Sequence, residues 1–342
     1  MANKRKVVII GGGTGTTAVL LGLKKYKDLC ISVIVSMTDD GGSNAVVRDE
    51  FGLLPLSDLR KSIIALSKTE NGVLRDVFTY RFEEGEGLRG HTLGNLIMMG
   101  LSRMYGTEQD AIDAASKLFA VRGKIIPVTY DDVRLVAEYR DGTKVKGEHL
   151  IDEPGEKNRK KQIKDFYTTP KAKATKEAIA AILEADYIVA GPGDLFTSTL
   201  ANIIVEGIPE AIRKSKGKFV FINNLMTKVG QTHGMKATDL VNEVTKYSGR
   251  EPDYVLINNK LNFSKKVLDI YVKDGEYPIE DDTNGQKYKV IKASLANSKI
   301  VEKDKGDDLL RSVIRHDASK LGKILYNKII RKRRLRFFRE ER

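Results

Sequence analysis

Val7-Val8-Ile9-Ile10-Gly11-Gly12-Gly13-Thr14-Gly15 runs from a continuous apolar stretch straight into glycines, and an apolar helical stretch then reaches Leu23. This reads as strand, tight glycine turn and helix, the opening unit of a sheet buried on both faces. The rest of the chain repeats the unit. Ile31 to Val35 reads as a second strand, ending at Ser36-Met37-Thr38-Asp39-Asp40-Gly41-Gly42. Helices are expected at Ile63 to Leu66, Val73 to Phe82 and Thr92 to Met104, with the Thr92 hydroxyl capping the last. Ile125 to Val128 and Val133 to Tyr139 read as strands, and Asp141-Gly142 as a hairpin turn into Thr143 to Val145. Asp152 to Lys173 is polar and reads as a surface excursion. A helix at Lys176 to Glu184, a strand at Tyr187 to Ala190 and a helix from Leu195 to Val205 follow. Lys218 to Ile222 and Tyr254 to Ile257 complete the strands. Strands alternating with helices imply an α/β fold with a mostly parallel sheet and right-handed crossovers. One domain over residues 1–327 is expected, with 141–173 as a surface lobe and 328–342 as a basic tail.

The 342 residues suffice for a substantial core, and a hydrophobic content of 41% is that of a globular chain. No apolar run reaches the roughly 18 residues that span a bilayer. Met1 to Lys6 is basic, but the apolar run after it is too short for a signal-peptide core. Cys30 is the single cysteine, which excludes an internal disulfide and a Cys-rich metal site. A cytoplasmic protein without a transmembrane segment is the expectation. Of the net charge of +13, much sits at the end: Lys328 to Arg342 holds eight Lys/Arg against Glu340 and Glu341. Such a tail can meet RNA or an anionic membrane, or be a solvated helix end whose cations suit the helix dipole. No nucleic-acid motif accompanies it, so no specific nucleic-acid partner is expected.

Open parallel sheets bind ligands where the loops at the carboxyl ends of their strands converge, and the unusual residues of this chain cluster there. Gly12, Gly13, Thr14 and Gly15 let a phosphate approach the backbone, and the following helix offers free amides and a positive dipole. The third position of a dinucleotide fingerprint is Thr16 rather than glycine, and no Gly-Lys-Ser/Thr follows as in a P-loop. A plain tight turn is the competing explanation. Thr38, Asp39, Asp40 and Ser43 follow the second strand, and the adjacent carboxylates suit either Mg²⁺ or ribose and sugar hydroxyls. Gly191, Gly193, Asp194, Thr197 and Ser198 make a second glycine-bearing helix entrance. Two such entrances on one sheet edge suit a diphosphate or a nucleotide with an attached group. Asn224 and Thr227 offer neutral donors and acceptors for a base or sugar. In Asp58-Leu59-Arg60 the arginine either comes near phosphate oxygens or makes a surface pair with Asp58, and both residues are candidate ligand contacts. His91 and Asn95 start a helix, His91 as an acid–base group or a turn cap. Arg315 either reaches the ligand or joins a buried ion pair. Candidate catalytic groups are Asp39, Asp40 and His91; there is no Gly-x-Ser-x-Gly elbow, no His-Glu-x-x-His and no cysteine nucleophile.

Taken together and in order over about Val7 to Leu325, these segments resemble the gluconeogenesis-factor (YvcK-like) family and, more distantly, the 2-phospho-L-lactate transferase CofD. The resemblance rests on Gly11 to Gly15, Thr38 to Ser43, Asp58-Leu59-Arg60, His91 to Asn95, Gly191 to Ser198, Asn224 to Thr227 and Val313 to Asp317. It implies a modified Rossmann-like fold. In the first branch it implies binding of UDP-sugars such as UDP-N-acetylglucosamine and a regulatory role in cell shape and envelope synthesis during gluconeogenic growth. In the second it implies Mg²⁺-dependent transfer of a phospholactyl group onto a deazaflavin precursor. Chain length and the Met226-Thr227 segment look more like the first branch.

The sequence departs from that family at several points. After Gly-Gly-Ser the usual Ser-Gly-Arg is replaced by Asn44, Ala45 and Val46, and Pro-Pro-Gly by Pro55, Leu56 and Ser57. Gly-Glu-Thr appears as Gly230-Gln231-Thr232, and a downstream histidine aligns near Leu240. Losing a carboxylate and an imidazole weakens catalysis more than binding. The leading expectation is a nucleotide-sugar-binding regulator without turnover, with a protein partner to regulate and a homo-oligomeric state. A Mg²⁺-dependent phospho-group transferase using Asp39 and Asp40 is the alternative, and an NAD-binding protein a third.

Overall fold

The structure is a computed structural model and describes residues 4–41, 54–68, 72–260, 263, 265–297 and 313–331. The chain opens with β1 (Arg5–Ile10), α1 (Gly13–Leu23) and β2 (Leu29–Val35). Helices α2 (Ser57–Leu66), α3 (Gly72–Thr79), α4 (Leu93–Tyr105) and α5 (Glu108–Leu118) then lead to β3 (Lys124–Pro127). Next come β4 (Arg134–Tyr139), β5 (Lys144–Lys146), α6 (Glu148–Asp152) and β6 (Ile163–Thr169). The second half runs α7 (Lys176–Glu184), β7 (Tyr187–Ala190), a π-wound helix Leu195–Leu200 continued by Ala201–Ile203, then β8 (Lys218–Ile222), β9 (Tyr254–Asn258) and β10 (Lys289–Ala293). Among the described residues it closes on the helix Ala318–Ile324, continued by a π-wound segment Leu325–Ile330.

Seven strands form one sheet in the order β10-β9-β8-β7-β1-β2-β3, every pairing parallel. From β1 the chain winds outward through β2 to β3, then returns to β7 on the other side of β1 and winds outward again. The reversal falls between β1 and β7, the switch point beside which an open parallel sheet places its ligand crevice. The alternating side chains explain why the sheet is covered on both faces. Val8 and Ile10 join the core cluster on one side, Val7 and Ile9 the cluster on the other, and all four are essentially buried. Each such side chain contributes about 1.5–3 kcal/mol by leaving water.

Thr92 caps α4 as expected, its hydroxyl accepting from the Asn95 amide at 3.3 Å. The surface excursion expected over 152–173 proves partly structured. β6 pairs antiparallel with β4, and with β5 they make a separate three-stranded sheet. Ile163 and Phe166 of β6 are buried in the main core. Helix 318–324 crosses α1 at Gly22 and Gly322, where a Cβ on Gly322 would stand 2.5 Å from the Gly22 Cα. That close approach fixes the segment 313–317 beside the crevice. Among the described residues no helix is long and apolar enough to cross a membrane.

Candidate functional site

The two glycine loops meet. Gly13 adopts φ +66°, a left-handed conformation that favours glycine, and a Cβ there would stand 3.7 Å from the Ser198 hydroxyl. A Cβ on Gly15 would collide with the Pro192 carbonyl, and one on Gly193 would approach the Gly12 carbonyl at 3.4 Å. Glycine at these positions is what lets the two turns touch. Between them and the neighbouring loops lies a cleft of about 190 Å³. On the same measure one water needs roughly 10–15 Å³, so the cleft admits a molecule of some size.

Its walls come from eight stretches of the chain, six of them as follows. Gly12 to Gly15 line it after β1, Asp39 and Gly41 after β2, and Pro192, Gly193, Asp194 and Ser198 after β7. Asn224 to Lys228 line it after β8, with the Asn224 amide donating to the Gly193 carbonyl at 2.8 Å. Thr227 is fixed by Tyr277, whose amide donates to its hydroxyl at 2.8 Å. Asp58 and Lys61 enter from the first turn of α2, and Ile314, Arg315 and His316 from the closing segment. Arg315 is positioned by its carbonyl, which accepts from the Asn297 amide at 2.8 Å.

Several expected site residues stand elsewhere. Thr38 is fully buried and its hydroxyl pairs with Ser36 at 2.7 Å. Asp40 lies off the cleft wall: its Oδ1 accepts the His149 amide at 2.9 Å and its Oδ2 lies 3.6 Å from Arg134 Nε. Of the two adjacent carboxylates only Asp39 lines the cleft, and among the described residues no group of three His, Cys, Asp or Glu has a metal-holding arrangement. Arg60 is buried behind the cleft, its Nε donating to Asn95 Oδ1 at 3.1 Å and Nη1 to the Phe78 carbonyl at 3.5 Å. His91 and Asn95 are buried in the same region, off the cleft wall. Gly191 continues the sheet by donating to the Ile10 carbonyl at 3.0 Å, and Thr197 sits under the floor, its hydroxyl 3.4 Å from Asp152. Ser43 lies outside the described residues, as do Asn44, Ala45 and Val46.

The three-stranded sheet adds groups not foreseen in the sequence: Glu148, His149 and Asp152 on α6, and Glu153 just after it. Lys61, Lys228, Glu276 and His316 also join the wall. The usable signals were Gly147-Glu148-His149 ending a hairpin and Lys228 directly after Thr227; neither spells a motif. Carboxylates outnumber cations here, and the consequence is retained protons. Desolvation, then Asp39 and Asp152, hold the Glu148 carboxyl well above the usual range. Asp194 is partly open to the cleft but ringed by protein, and burial, then Asp152, push its carboxyl up to about 7. Burial works against the charge of Lys228, but Asp194 and Asp152 outweigh it and keep the ammonium charged. Burial lowers His316 to about 4, so its imidazole is neutral, and its Nε2 is buried without a hydrogen-bond partner. Thr14, Gly15, Gly193 and Ser198 line the cleft together with three cations, Lys61, Lys228 and Arg315.

Comparison with known proteins fits this picture. The family described as 2-phospho-L-lactate transferase CofD matches residues 7–297. A protein of Thermotoga maritima named putative gluconeogenesis factor is 38% identical over 320 residues, covering 94% of this chain and 98% of its own. The gluconeogenesis factor of Bacillus subtilis is 36% identical over 327 residues, 95% of this chain and 98% of its own. The crystal structure of protein BH3568 from Bacillus halodurans superposes with a TM-score of 0.84 at 36% identity, covering 94% of this chain and 99% of that one.

Proposed function

This chain belongs to the CofD family, alongside the proteins named gluconeogenesis factors, and from that premise we propose that it is a cytoplasmic regulator that binds a nucleotide sugar of the UDP-N-acetylglucosamine type. One observation carries the reading: the helix entrances after β1 and β7 abut at Gly15–Pro192 and border a single cleft. Two helix N-termini with glycine loops supply amides and dipole to neighbouring phosphates, which is what a diphosphate requires. Asn224 and Thr227 supply neutral contacts for base or ribose, and the carboxylates of α6 accept from sugar hydroxyls. The regulatory role in cell shape and envelope synthesis, through a protein partner, is carried by the resemblance. The test is calorimetric titration with UDP-N-acetylglucosamine, UDP-glucose, GDP and NAD. Saturable binding of a UDP-sugar in preference to NAD is expected; no heat with any of the four removes the reading.

Group transfer is the second reading, favoured by the family match and by Asp39 lining the cleft with Asp58. It is tested by product formation with candidate phospho-donors and acceptors. Turnover abolished in Asp39→Asn with nucleotide affinity kept would establish it; absence of product would leave the binding role.

A further inference from the structure

An aspartate at a helix N-cap ordinarily accepts a bond from the first-turn amides. Asp194 holds that position ahead of Leu195–Leu200 and makes no such bond. Its side chain lines the cleft instead, beside the Asp152 carboxyl of α6, which meets the same helix at the Thr197 hydroxyl, 3.4 Å away. Two carboxyls this close in a desolvated place do not both ionise; one keeps a proton.

The surroundings decide which. Asp152 Oδ1 accepts from the Gln231 amide at 3.0 Å and faces the Thr197 hydroxyl at 3.4 Å, and its Oδ2 lies 3.8 Å from Lys228 Nζ. Gln231 is fully buried, so that amide is locked in place. All three donors go to Asp152, and among the described residues none is hydrogen-bonded to the Asp194 carboxyl. Glu276 and Lys228 face the pair from the loops beside β8 and β10, Glu148 and Glu153 from α6 and its end, and neutral His316 from the closing segment. The acids among them raise the cost of a second negative charge at Asp194, and Lys228 is shared.

We infer that Asp194 meets the ligand as a neutral carboxylic acid, its O–H donating to an anionic ligand oxygen beside Gly193 and Ser198, while Asp152 carries the charge of the pair. Ligand and proton are then taken up together. This rests on the nucleotide-sugar reading of the cleft and names how that site accepts an anion despite its acidic floor. A nucleoside diphosphate sugar has no group titrating near neutrality, so any pH dependence of its binding belongs to the protein. The sign is fixed: the donor form of a carboxyl is complete below its pKa and lost above it.

The experiment is calorimetry with UDP-N-acetylglucosamine across pH, in buffers of different ionisation enthalpy, for the wild type and Asp194→Asn. In the wild type, affinity falls roughly tenfold per pH unit above neutrality and close to one proton is taken up. Asp194→Asn keeps an N–H donor at the same place, so its binding is independent of pH and proton uptake disappears. Wild-type binding equal at about pH 6 and about pH 8.5 without proton uptake overturns the inference and leaves the nucleotide-sugar reading standing. Carboxyl ¹³C titration of the ligand-free protein, with the Asp194 signal assigned by its loss in Asp194→Asn, supplies the independent arm. A midpoint near neutrality is expected, and one in the usual carboxylate range overturns the inference. A raised midpoint with no binding at any pH overturns the nucleotide-sugar reading, and the ligand-linked proton with it.

Discussion

Asp58 Oδ1 accepts the Gly13 amide at 3.1 Å, so a carboxylate already lies across the mouth of the first glycine loop. Lys61 holds the same oxygen at 3.0 Å. The first turn of α1 thus has part of its amide set satisfied by the chain itself, and the cleft keeps Thr14 and Gly15. Asp58→Ala strands the amide and the ammonium together. Charge-assisted bonds of this kind contribute about 1.5–3 kcal/mol, and a loss of that size is expected in urea denaturation.

Gly15→Ala tests the contact between the two loops. The new methyl collides with the Pro192 carbonyl, and backbone on both sides resists moving. Overpacking of this kind costs about 1–3 kcal/mol. Nucleotide-sugar affinity is expected to drop at least tenfold as the loops part, measured by calorimetry on protein that remains folded by circular dichroism.

His316 sets an acid limit on stability. Its imidazole titrates at about 4 in the fold, below its ordinary 6.5, because burial disfavours the cation. The unfolded chain therefore binds more protons between those values, so stability rises with pH across about 4 to 6.5. At about 1.4 kcal/mol per unit, the contribution approaches about 3 kcal/mol. Denaturation of His316→Asn at a series of pH values is expected to show a flatter rise over that window than the wild type.

Asp40→Asn separates a structural carboxylate from a cleft-lining one. It loses one of the two charged partners of Arg134, Asp132 being the other, and weakens the acceptor of the His149 amide, contacts that seat α6 against the loop after β2. A destabilisation of about 1–2 kcal/mol is expected. Asp39→Asn leaves those contacts intact and is expected to change ligand binding with little effect on stability.

The strand–glycine–helix units were legible because their signals are local: an apolar run, glycines and an apolar-periodic stretch within a few residues. Hence β1, β7 and their loops emerge from the sequence, and with them the crevice. The contribution of α6 does not, because it depends on the His149 amide reaching Asp40 across 109 residues. β6 escaped notice because its buried positions, Ile163, Phe166 and Thr168, break strict alternation, and its register against β4 shifts between Glu138 and Tyr139. β10 is a half-exposed edge strand flanked by lysines and lacks an apolar run. Arg60, His91 and Asn95 looked like site residues because polar groups at loop ends read alike whether they face a ligand or one another. Only their burial and the Arg60–Asn95 bond tell the difference.

Backbone amide shifts of ¹⁵N-labelled protein during titration with UDP-N-acetylglucosamine test most directly whether the two helix entrances receive one guest. The amides of Thr14, Gly15, Gly193 and Ser198 are expected to move together, saturating with a single apparent affinity. Shifts confined to one loop, or absent from both at saturating ligand, would contradict a shared anion site.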